Sequence, residues 1–153
     1  MGEKQDTLNT YDTLNTYKAE LEKIKGFHSE VQIRDLSITI DEPEKLGGTN
    51  EGPNPVEVML ASLVGCLDFT GTIVAKEMGH ELKDFKLEGE GDLDSRGVMG
   101  KADVPVGLQE IRVNVKKIEG IPEEKISGFL QTVEKRCPVD NTLEKGVEIK
   151  IER

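Results

Sequence analysis

The chain has 153 residues, 33% charged and 35% hydrophobic, with two Tyr, four Phe and no Trp, and a formal net charge of −10. That length can bury roughly two-thirds of its unfolded surface in one core without a metal or disulfide staple. The negative charge repels polyanions and so excludes nucleic acid and anionic membrane as main partners, and the few rings leave little to stack on bases.

At the N-terminus DTLNTY occurs twice in tandem, Asp6 to Tyr11 and Asp12 to Tyr17. Two six-residue copies cannot build a solenoid, so residues 1–16 are expected to be a polar, partly disordered tail and 17–153 a single domain. No leading segment has the basic, apolar and small-residue order of a signal peptide, and the charge-free run 58–67 is too short to cross a bilayer. A soluble, cytoplasmic protein is expected.

From Tyr17 the pattern is ambiguous: Tyr17, Leu21 and Ile24 fit a helical stripe, while Tyr17, Ala19 and Leu21 alternate as a strand does. Beyond it Phe27, Val31 and Ile33, then Leu36, Ile38 and Ile40, alternate around turns at Lys25-Gly26 and Arg34-Asp35. This predicts a meander of up to three strands over 17–41. DEPEKLGGTNEGPNP, residues 41–55, is a loop by its Gly, Pro and Asn content, and it ends in a helix start. Asn54 suits the N-cap, Pro55 the first helical position and Glu57 the capping-box acid.

That helix should run to about Met78 with Gly79 closing it. Its first half is apolar on nearly every side, which predicts burial on every side. One sheet covers one face, so a second subunit is expected on another. Two strands follow around Phe85–Leu87 and Leu108–Val115, joined by a mobile connection, DSRGVMGKADVPVG. A second helix from Pro122 carries the stripe Ile126, Phe129, Leu130, Val133 and Cys137, ending at Pro138, and Val147, Ile149 and Ile151 alternate as a last strand. The sum is an α+β fold with mainly antiparallel sheet.

Two cysteines without a CxxC pair, and histidines at 28 and 80 far apart, give no metal-ligand spacing, so no metal centre is expected. A reducing compartment disfavours a lasting disulfide but permits a transient one. Both cysteines fall on apolar helix faces, and two readings stay open: core packing, or a reactive pair. A reactive Cys66 needs its thiolate, and the helix dipole is about eleven residues away, so an outside cation is required. Arg34 and Arg136 are candidates. Glu57, nine residues before Cys66, points to the opposite side about 13 Å along the axis. It either caps the helix or acts across a subunit interface. Met59, Ser62, Leu63, Phe69, Thr70 and Ile73 share the face of Cys66. They would wall an apolar substrate.

Two stretches, GGTNEGPNPVEVMLASLVGCL at 47–67 and KRCPVDNTLEKGVEI at 135–149, resemble the two signatures of the OsmC/Ohr family, the osmotically inducible and organic hydroperoxide resistance proteins. The resemblance covers roughly residues 17–152. It implies an intertwined α+β homodimer with two central helices wrapped by sheets. It also implies a thiol peroxidase acting on small organic hydroperoxides, with Cys66 as attacking and Cys137 as resolving cysteine. A dithiol or lipoyl-protein would serve as reductant, with no cofactor. In the family an arginine stabilises the thiolate and a glutamate holds that arginine, roles that fall to Arg34 and Glu57. The peroxidases place the glutamate directly after the helix-start proline, where Val56 stands here, so the chain resembles the OsmC-like branch. The alternatives are a stress protein binding an apolar ligand, or a redox sensor, without peroxidase turnover.

Overall fold

A computed structural model describes residues 13–153; the first DTLNTY copy and most of the expected tail lie outside the described residues. The chain divides into two compact units, one to Pro55 and one from Val56 to Arg153.

The first unit is an antiparallel meander of β1 (Glu20–Lys25), β2 (His28–Ile33) and β3 (Leu36–Ile40), in the order β1-β2-β3. The ambiguous residues 20–25 are strand rather than helix. Pairing decides it, because Leu21 stands opposite Val31 and Val31 opposite Ile38, which lines the apolar side chains into one cross-strand row. Both expected turns are present, and in the second Arg34 takes a left-handed φ of 56°.

The loop after β3 is organised by a carboxylate. Asp41 is buried, and its Oδ1 accepts the Glu42 N–H while Oδ2 accepts the Thr49 hydroxyl at 2.5 Å, the Thr49 N–H at 3.0 Å and the Glu51 N–H at 3.2 Å. The Asp41 N–H in turn donates to Pro53 O. The chain wraps so closely that a Cβ at Gly48 would overlap the Glu42 carbonyl, so only glycine fits there.

The second unit opens with α1 (Pro55–Glu77), closed by Gly79 at φ 78° with the His80 N–H donating to Ala75 O. A hairpin of β4 (Asp84–Asp92) and β5 (Glu110–Glu119) follows, with Phe85 opposite Ile118 and Leu87 opposite Val115. Between the strands lies α2 (Ser95–Val98), a single turn whose N-cap Asp94 accepts the Arg96 N–H. Next comes α3 (Glu123–Arg136), starting where Pro122 predicts. Its stripe builds the core: Phe129 and Val133 are buried with Val74 and Ala75 of α1 and Ile121, and Phe129 meets Phe85 edge to face at 6.0 Å. The α+β architecture with antiparallel sheets is as expected.

Two expectations need correction. Residues 146–153 form no strand, and Val147, Ile149 and Ile151 are exposed by 69%, 81% and 97%, because alternation makes a strand only where a neighbour completes its ladder. The chain after Cys137 instead enters α4 (Pro138–Lys145), with Pro138 as its first residue. On α1, Leu63, Thr70, Gly71, Val74 and Ala75 are buried, while Phe69 stays 63% exposed. Its apolar stretch is also longer than the charge-free run suggested, long enough by length and composition to cross a membrane. Packing in the core cluster makes it a core helix instead.

Candidate functional site

Cys66 sits in the middle of α1, half-buried, and Cys137 lies fully buried at the junction of α3 and α4. The two thiols are free, and they are near enough for Cys66 to influence the ionisation of Cys137. Residues far apart in sequence are thus brought together because α1 and α3 share the core around Val74, Phe129 and Val133.

Cys137 occupies two helix ends at once. Its N–H donates to Glu134 O as α3 ends, and its Sγ accepts the Asp140 N–H at 3.5 Å as the N-cap of α4. Burial pushes its thiol up from the ordinary range, and the adjacent Cys66 adds to that, while the amides of Asp140 and Val139 pull it down. The net direction is upward, so Cys137 ionises less readily than an ordinary thiol. The Asn141 side chain fastens the junction by donating to Cys137 O at 2.9 Å.

The cation candidates differ in their engagements. Arg136 is held in a two-pronged pair with Glu77 on α1, one N–H meeting Oε2 and the other Oε1 at 3.0 Å. Hydrogen bonding to Arg136 holds the Glu77 carboxyl below its ordinary range. Arg34 lies in the meander turn, where its carbonyl accepts the Gln32 amide, and its guanidinium has no ion-pair partner among the described residues. Glu57 is exposed in the first turn of α1, on the side of the helix away from its own Cys66.

Of the residues sharing the Cys66 face, Leu63 and Thr70 are buried, but Phe69 and Ile73 remain exposed. A cavity of about 550 Å³ lies between α1, the β4–β5 hairpin, α3 and α4, and neither cysteine lines it. Leu63, Leu67, Phe85, Leu130 and Val133 form its apolar floor, and Asp140, whose amide meets the Cys137 sulfur, is on its wall.

Two features escaped the sequence reading. Asp140 and α4 were signalled by Pro138 directly after a residue able to cap, a helix-start pattern in its own right. Asp41 had no local signal, since its four donors come from residues up to ten positions away. His28, Asp41 and Glu51 also bring three potential metal-ligand atoms within 4.8 Å of one another. The Asp41 oxygens are already filled by protein donors and His28 Nδ1 faces Glu51 at 2.7 Å, so the grouping is explained as a loop clamp.

The sequence profile of the OsmC-like proteins matches residues 48–152, which contain both cysteines and Glu57. No curated protein sequence matches significantly. Solved structures share the fold. An OsmC-like protein from Mycoplasma pneumoniae superposes with a TM-score of 0.73 at 24% identity, covering 87% of this chain and 89% of that one. An organic hydroperoxide resistance protein OsmC from Legionella pneumophila gives 0.66 at 21%, over 90% and 95%. An organic hydroperoxide resistance protein from Elizabethkingia anophelis gives 0.64 at 22%, over 89% and 93%.

Proposed function

This chain belongs to the OsmC-like protein family, and from that premise we propose that it is a cytoplasmic, homodimeric, thiol-dependent peroxidase that reduces organic hydroperoxides to alcohols. The Cys66 thiolate attacks the outer oxygen of R–O–O–H. The O–O bond breaks, an S–O bond forms, and the departing alkoxide takes up a proton to leave as alcohol. The Cys137 thiolate then attacks the Cys66 sulfenic sulfur, closing a disulfide and releasing water. A dithiol, free or carried as a lipoyl group on a protein, reduces the disulfide by exchange and is itself oxidised.

The observation that carries this reading is the proximity of a half-buried thiol on α1 to a fully buried one at the α3–α4 junction. The accessible sulfur suits the attack on substrate, and the buried one stands near the intermediate that it must attack. Arg34 is the cation that stabilises the Cys66 thiolate and Glu57 orients it, both acting across the subunit interface. Support for Arg34 is its left-handed backbone in a two-residue turn, a conformation that costs an arginine energy and that Asn or Gly would take more readily. Support for the dimer is the amount of apolar surface one chain leaves in water: Phe69 on α1, Leu21 and Leu36 on the meander, and Val147, Ile149 and Ile151 near the end.

The test is peroxide consumption with cumene hydroperoxide and a dithiol. Wild type should turn over, Cys66→Ser should lose activity entirely, and Cys137→Ser should stall after one equivalent with a trappable sulfenic acid. Absence of turnover in wild type with any dithiol sinks the proposal, and turnover surviving Cys66→Ser reverses the roles. A second reading, an apolar-ligand binder without turnover, is favoured by the apolar cavity and by Val56 at the glutamate's place. It predicts a bound apolar molecule and no Cys66–Cys137 disulfide after peroxide.

A further inference from the structure

Cys137 is the single residue between two helices. It closes α3 and caps α4 with an extended backbone, φ −72° and ψ 115°, the region that a following proline enforces. Pro138 also lacks the N–H that would have carried the ladder of α3 on to Glu134 O, so the last carbonyls of α3 must find other donors. One side chain supplies them. The Asn141 side-chain amide donates to Cys137 O at 2.9 Å and lies 3.2 Å from Lys135 O and 3.4 Å from Glu134 O, while the Asn141 backbone N–H reaches Cys137 O at 3.0 Å. The amide has one workable orientation: Oδ1 accepts the Lys145 ammonium at 2.8 Å, and turned round it would set an oxygen against three carbonyls.

We propose that Asn141 is a positioning residue for the disulfide-closing step: its amide fixes the corner between α3 and α4 and so holds the Cys137 sulfur against the first turn of α4. This deepens the peroxidase reading and rests on it. In that step the Cys137 thiolate attacks the Cys66 sulfenic sulfur. An S–S bond replaces the S–O bond, and the hydroxide that leaves takes up a proton as water. Cys137 is fully buried, and burial opposes its ionisation, so the help its thiolate receives must come from fixed dipoles. The Asp140 N–H, 3.5 Å from Sγ, is such a dipole. It faces the sulfur only while the first turn of α4 keeps its angle to α3, and the Asn141 amide ties that turn to the Glu134, Lys135 and Cys137 carbonyls. The amide is neutral, so its loss leaves the charges at the corner, those of Glu134, Asp140, Glu144 and Lys145, unaltered.

The test separates the two chemical steps. After one equivalent of cumene hydroperoxide, rapid quenching with dimedone counts the Cys66 sulfenic acid by mass, and the disulfide is counted in the same samples. Asn141→Ala should form the sulfenic acid at the wild-type rate but close the disulfide about tenfold more slowly. Asn141→Gln, which keeps the amide on a longer arm, should fall between. A second readout needs no turnover. In Cys66→Ser, an NMR titration of the Cys137 Cβ follows ionisation of that thiol, and adding Asn141→Ala should lower its ionisation constant about threefold as the sulfur leaves the Asp140 amide. Lys145→Met, which releases the amide oxygen, should shift both readouts in the same directions by less, and it serves if Asn141→Ala does not fold. An unslowed closure, an equal slowing of both steps or an unmoved titration overturns the inference. If wild type forms no sulfenic acid, the peroxidase reading fails and the titration alone decides: a moved midpoint upholds the placement of the sulfur by Asn141, and an unmoved one overturns it.

Discussion

In the meander unit the buried residues among those described are Ser29 and Asp41, both polar, whereas the second unit buries Val74, Ala75, Phe129 and Val133 around one another. The first is organised by hydrogen bonds to a single carboxylate and by strand pairing. Its larger apolar side chains, Leu21, Ile24, Phe27 and Leu36, are each more than half exposed. The second is organised by aliphatic and aromatic packing, and the two thiols are placed by that packing. A sheet of three strands with its apolar face uncovered is marginal by itself. The contrast teaches that the part carrying the thiols can be shaped by one chain, while the part carrying Arg34 needs an apolar surface from elsewhere, which is what the proposed second subunit supplies.

The sharpest way to break this contrast is to remove the ring at the centre of the second unit. Phe129→Ala should cost about 3–5 kcal/mol, since Phe129 is fully buried against Phe85 and Gly71 leaves no side chain to fill the hole. Urea unfolding reads that loss. Amide exchange should show it first in α1 and α3, and a cost under about 1 kcal/mol would mean that the packing does not hold this unit together.

The meander should instead respond to acid. The Thr49 hydroxyl first, and then the amides of Glu42, Glu51 and Thr49, hold the Asp41 carboxyl down at about 2 against the opposing effect of its burial. Its folded value lies below its unfolded one, so the unfolded state binds the extra proton. The stabilisation is therefore present above about pH 4 and is lost as pH falls toward 2. A chemical-shift titration of the Asp41 carboxyl, with amide exchange of residues 41–53, reads this. Asp41→Asn should remove the pH dependence along with the ordered loop, and an unshifted titration midpoint would show that the clamp is absent in solution.

The smallest stability effect should come from the turn, together with a functional one. Arg34→Asn should leave the fold unchanged or stabilise it by up to about 1 kcal/mol, because asparagine tolerates the left-handed conformation better. Peroxide turnover should nevertheless fall. Arg136→Ala should leave turnover within about twofold, since its guanidinium is occupied by Glu77 at the surface. The opposite pattern would move the thiolate-stabilising role from Arg34 to Arg136.

Much of this was legible from local rules. The Arg34-Asp35 turn, the Pro55 start and Gly79 end of α1, and the stripe through Phe129, Val133 and Cys137 each depend on neighbours within a few positions, and each stands where the pattern puts it. The misses share a cause. Val147, Ile149 and Ile151 alternate as a strand does, but a strand exists only with a partner to complete its hydrogen bonds. Asp41 is defined by Thr49 and Glu51 folding back on it, and no spacing rule announces that.

For the site, the sequence by itself determined the chemistry available: two thiols on apolar helix faces, two candidate arginines, and a displaced glutamate. Tertiary structure decided which of them meet. It brought Cys66 near Cys137 through the common core of α1 and α3, tied Arg136 to Glu77, and set Cys137 at the start of α4 with the Asp140 amide on its sulfur. The physical reason is that residue type and periodicity encode faces, whereas the contact between two faces is chosen by the packing of the whole chain.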